Sequence, residues 1–256
     1  MFFLKKMIRE KKDEKFNKEY PFLILSPRVP MEEEIGISKD EVIACYNKII
    51  LGDLFDELKR LGFKQRGKTL THYKYLDNGF VITISLHRNI KSFSIFSVVC
   101  GCVPLFVELE RFENKYSSEL SRIAGLGSYD FDCQNELAAK QSYSFIVEVI
   151  ESKVMPWCNE MLIHDNIVNL FRKHKNTSTW DIILALLLKE GRLLEARKEI
   201  KLIKNDSFLT RDQKIFDLCI KSKLEYYEKL IESGKDVCIS AMKEREEQNK
   251  KRFKIK

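Results

Sequence analysis

The stretch LKRLGFKQRGKTLTHYKYLDNGFVITI, residues 58–84, changes its hydrophobic period half-way along, and that change decides the fold. Upstream, Val42, Cys45, Tyr46, Ile49, Ile50, Leu54, Phe55, Leu58 and Leu61 recur at three- and four-residue intervals, the stripe of an amphipathic helix. Ser38 followed by Glu41 fits a capping box at its start, each side chain satisfying the other's free backbone amide, and Gly52 marks a kink. Gly62 stands where a left-handed C-cap belongs, because a residue without Cβ enters that conformation without a clash. Downstream, Phe80, Ile82, Ile84 and Leu86 alternate with Val81, Thr83, Ser85 and His87, which predicts a strand with one buried face. Asp77, Asn78 and Gly79 supply a tight turn from a preceding strand over 69–76.

Working outward, SFSIFSVVCGCV (92–103) reads as a third strand and GSYDFDC (127–133) as a fourth, with 105–122 unassigned. Pro21, Pro27 and Pro30 hold YPFLILSPRVP extended. Phe145, Ile146, Val149, Ile150 and Val154 form a helical stripe that Pro156 breaks or kinks, and DNIVNLFRKH starts a short helix at Asp165. The last third is helical: a hairpin turning at Gly191, then a long helix ending at Gly234. The expected fold is α+β, an antiparallel β-meander packed against helices and followed by an all-helical C-terminal module. Four segments follow: a basic arm and extended segment over 1–36, an α+β domain over 37–174, a helical hairpin module over 178–240, and a basic tail over 241–256. The polar HKNTS at 174–178 marks the main boundary.

With 44% hydrophobic and 32% charged residues among 256, the chain reads as soluble and able to build a core without disulfides. Its longest apolar run, Ile182 to Leu188, is far shorter than the ~20 residues of a membrane helix. The start, MFFLKKMIREKK, lacks a small-residue cleavage site, which argues against a secretory signal. Seven scattered cysteines fit a reducing cytosol. Net charge is +7, and it sits at the ends: seven Lys/Arg against four Asp/Glu in 1–20, seven against three in 241–256, and 31 against 31 between them. Solvated tails are the simpler account. The alternative is a phosphate-binding arm using Lys5, Lys6, Lys11 and Lys12 with Lys250, Lys251 and Arg252, which would make the protein nucleic-acid-associated.

Leu58, Leu61, Gly62 and Phe63, the strands between Leu70 and Val103, Arg122 with Leu126 in SRIAGL, and Pro156 with Trp157 in VMPW together resemble a bacterial family, domain of unknown function 4304, over roughly residues 40–172. The resemblance implies a compact α+β domain without established enzymatic activity, and relatives in toxin–immunity or defence contexts suggest protein binding. ALLLKEGRLLEA (185–196) is similar to the middle of a tetratricopeptide-type hairpin, with Ala185 and Leu188 on one helix, Gly191 at the turn, and Glu195 and Ala196 opening the second.

Catalytic constellations fail on spacing. Cys100 and Cys102 share a strand face but lack a second ligand pair, so buried thiols are expected and no metal or cofactor. His72 and His87 would lie on neighbouring strands, and Cys158 beside Pro156 and Trp157 reads as packing. GLGS (125–128) lacks the lysine of a phosphate loop and reads as a plain turn. Asp130 and Asp132 are expected on a solvated strand face, with Tyr129 and Phe131 facing the core. Lys59, Arg60, Lys64, Arg66 and Lys68 crowd a helix end, where cations suit the helix dipole; with Arg122 they would also recognise an acidic patch on a partner. The expected function is therefore non-enzymatic protein binding in the cytoplasm, as an immunity or defence accessory protein would perform it.

Overall fold

The computed structural model of the chain describes residues 18–25, 38–88, 94–173, 179–206, 210 and 220–255. The opening helix is built from α1 (Lys39–Cys45), a wide π-helical stretch (Tyr46–Asp53) and α2 (Leu54–Arg60). Ser38 Oγ accepts the Glu41 amide at 3.4 Å, one half of the expected capping box. In place of a kink at Gly52, the helix widens across the segment that contains it. Gly62 has φ +85°, its amide donates to Lys59 O and that of Phe63 to Leu58 O, both at 2.9 Å. This is a Schellman motif, and Leu58 and Phe63 are buried together as its apolar contact demands. Lys74 Nζ donates to a further free carbonyl, Leu61 O, at 2.9 Å.

Among the described residues, seven strands form one antiparallel sheet: β1 (Leu23–Leu25), β2 (Lys64–Gln65), β3 (Thr71–Tyr75), β4 (Phe80–Arg88), β5 (Ile95–Pro104), β6 (Tyr116–Glu119) and β7 (Tyr129–Asp132). Their order is β1-β7-β5-β4-β3-β2, with β6 paired to β5. The α+β architecture is thus present, with the helices of the last third following it. The turn at 77–79 is a three-residue loop: Gly79 N–H donates to Leu76 O at 2.9 Å, Leu76 N–H to Phe80 O at 2.8 Å, and Gly79 takes φ +89°.

Two sheet expectations need correcting. Strand β4 is buried on both faces from Phe80 to Leu86, Thr83 and Ser85 included. Hydroxyls are tolerated there because they are bonded: Ser85 Oγ lies 3.0 Å from Thr71 Oγ1. Asp130 and Asp132 are buried, not solvated. The reason is β1, which pairs Leu23 with Phe131 and Leu25 with Tyr129, so β7 lies between β1 and β5 instead of at an edge. Asp132 Oδ1 accepts the Gln134 amide at 2.9 Å, and its carbonyl accepts Ser142 Oγ at 2.7 Å.

The chain divides into two compact units, the first from Met1–Lys74, Thr83–Gly101 and Ser117–Trp157, the second from Tyr75–Ile82, Cys102–Tyr116 and Cys158–Lys256. In the first, α3 (Leu120–Ile123) precedes β7, and α4 (Glu136–Val149) packs on β7 and on the π-helical stretch of the opening helix. A second π-helical stretch, Ile150–Val154, leads from α4 into α5 (Met155–Glu160). Pro156 explains it: the ring has no N–H and crowds the carbonyl four residues back, so the helix widens instead of ending.

The second unit holds α6 (His164–Lys173), α7 (Thr179–Lys189), α8 (Leu193–Lys204), α9 (Ser222–Glu232) and α10 (Lys235–Phe253). The sequence TWDIILALLLK is apolar nearly all round, and α7 is accordingly buried from Thr179 to Leu188, packed by α6, α8 and α10. The hairpin turns at Gly191, where Arg192 N–H donates to Leu187 O at 2.9 Å. Residues 241–253 continue α10 with Met242, Glu246, Asn249 and Phe253 buried, so this segment is a packed helix and not a solvated tail.

Candidate partner-binding site

The basic cluster at the helix end is already engaged within the first unit. Lys59 bonds Asp56 at 2.7 Å, Arg60 bonds Glu57 and, at 2.5 Å, Glu151, and Arg122 bonds Glu119 at 3.1 Å. Lys64 and Arg66 also have partners, while Lys68 is exposed. Lys59, Arg60 and Arg122 thus balance local carboxylates. Of the terminal cations, Lys5, Lys6, Lys11 and Lys12 lie outside the described residues. Lys250 reaches Glu247 at 2.9 Å and Glu246 at 3.2 Å and lies 4.1 Å from the centre of the Tyr75 ring. Arg252 donates to Leu109 O at 2.6 Å and to Glu110 O. Lys251 is exposed. Two of the three C-terminal cations therefore hold the protein together.

Groups weighed for chemistry are placed just as plainly. Cys100, Cys102 and Cys158 are buried, and burial, only partly offset by a backbone hydrogen bond, pushes the Cys102 thiol up to about 12, where it stays protonated. His72 is buried and His87 exposed, so the two do not share an environment. The His72 ring nitrogens have no hydrogen-bond partner among the described residues; burial, with a smaller contribution from Lys59, pushes the imidazole down to about 4. GLGS is a turn into β7, closed by Ser121 Oγ, which accepts the Tyr129 amide at 3.0 Å.

Within the second unit a polar knot fixes α10. Glu246 accepts Tyr75 Oη at 2.6 Å and Lys189 Nζ at 2.5 Å, while Lys189 also donates to Asn78 O at 2.6 Å. Burial alone would raise the Glu246 carboxyl, but the bonds from Lys189 and Tyr75 outweigh it and hold the group below the usual range. Every oxygen is engaged, as in a structural site. A polar cleft of about 240 Å³ beside Asp181 is similarly closed upon itself, since that carboxylate accepts from the buried Tyr227 and from Lys223 at 3.2 Å.

Among the described residues, a groove of about 280 Å³ lies open over α7, between α6 and α8. Val168, Ile183 and Leu187 give it an apolar floor, and Leu202 an exposed apolar wall at 60% accessibility. Its rim is held by ion pairs of Arg172 with Glu199 at 2.6 Å and Arg192 with Glu195 at 2.5 Å, and His164 Nδ1 lies 2.7 Å from Glu190. Helix α8 buries Ala196, Glu199, Ile200 and Ile203, a stripe at three- and four-residue spacing. That leaves Leu194, at 75% accessibility, and Leu202 on the opposite face, eight residues apart. No protein-family model, curated protein or solved structure matches this chain.

The groove lies outside the residues chosen from sequence. One signal in α8 does point to it: two leucines off the helix's buried stripe are bracketed by cations in LLEARKEIKLIK. Recognising them as a site requires knowing that α6 lies across α7 from α8.

Proposed function

We propose that this is a non-enzymatic protein-binding protein, acting in the cytoplasm, whose α6–α8 groove receives a partner. The observation that carries the reading is the apolar groove itself: exposed leucines beside an open channel, in a unit whose other charged clusters are internally satisfied. Helical hairpins present such channels to partner segments. The buried, protonated Cys102 and the burial of Asp130 and Asp132 favour binding over turnover. No helix among the described residues is long and apolar enough to cross a membrane. Immunity or defence remains an implication of the family resemblance, and a nucleic-acid role loses support because Lys250 and Arg252 are engaged in packing.

The test is capture from the native cells, after nuclease treatment, with wild type and a Leu202→Asp variant compared at low and high salt. A stoichiometric protein retained by wild type and lost by the variant is the expected result. Retention by both would place the interface elsewhere, and recovery of nucleic acid alone would end the protein-binding reading.

A further inference from the structure

We draw no further inference here: the strongest candidate, the apolar groove over α7 between α6 and α8, belongs to the site already described, and nothing in the structure shows what covers it.

Discussion

Glu246 in one unit and His72 in the other are both buried ionisable side chains, and the two solve the same problem in opposite ways. Glu246 in the second unit collects Tyr75, Lys189 and Lys250 and stays charged. His72 in the first unit lies with its ring centre 4.2 Å from that of Phe55, finds no hydrogen-bond partner among the described residues, and stays neutral. Removing a charge from water costs several kcal/mol unless partners replace the water. A carboxylate with three donors remains ionised, whereas an imidazole among apolar groups gives up its proton. The first arrangement locks distant segments together; the second makes a unit sensitive to acid.

The largest expected effect breaks the Glu246 knot. Glu246→Leu leaves the buried Lys189 ammonium without its carboxylate and the Tyr75 phenol without its carboxylate acceptor, and should cost about 3–5 kcal/mol in denaturant unfolding. Adding Lys189→Met should recover part of that loss, because one uncompensated charge goes with it. A loss below about 1 kcal/mol for Glu246→Leu alone would mean that solvent screens the knot, and the contrast with His72 would fail.

Acid sharpens the comparison next. The folded-state value of His72 is lowered from 6.5 to about 4, so above pH 6.5 the group is neutral folded or unfolded and contributes nothing to pH dependence. As pH falls from 6.5 towards 4, the unfolded chain takes up a proton that the folded chain refuses. Stability should drop by up to about 3 kcal/mol, and then level off. Glu246, lowered from 4.5, works the other way: its contribution is present above 4.5 and is lost as pH falls through the folded value. The windows separate, so unfolding midpoints of wild type and His72→Phe should converge in slope below pH 4 and diverge between 4 and 6.5.

Backbone substitutions come third. A Cβ on Gly79 would stand 2.5 Å from both Glu246 Oε2 and Lys189 Nζ, at φ +89°. Gly79→Ala should therefore cost about 2–3 kcal/mol, against about 1 kcal/mol for Gly125→Ala, where φ is +87° but the space is open. Thermal unfolding of the pair isolates the part due to the knot. The smallest effect belongs to the helix-end cluster: Lys59→Ala and Arg60→Ala remove exposed ion pairs and should each shift stability by no more than about 1 kcal/mol.

What the sequence determined by itself was local. The caps at Ser38 and Gly62, the three-residue turn before Phe80, and the hairpin at Gly191 each depend on residues within five positions of one another, so the signal and the bonds it makes are written together. The α+β order follows from those pieces. Only the tertiary structure decided which faces were covered. Leu23–Leu25 returns to pair with β7, which becomes an inner strand with Asp130 and Asp132 buried, although nothing within YDFD distinguishes an edge strand from an inner one. Tyr75 and Glu246 meet across 171 residues, which converts an expected tail into a packed helix. The groove arises in the same way. Its Leu202 is visible in α8, but the channel exists because α6 and α8 flank α7, and burial depends on where the chain returns, not on any single segment.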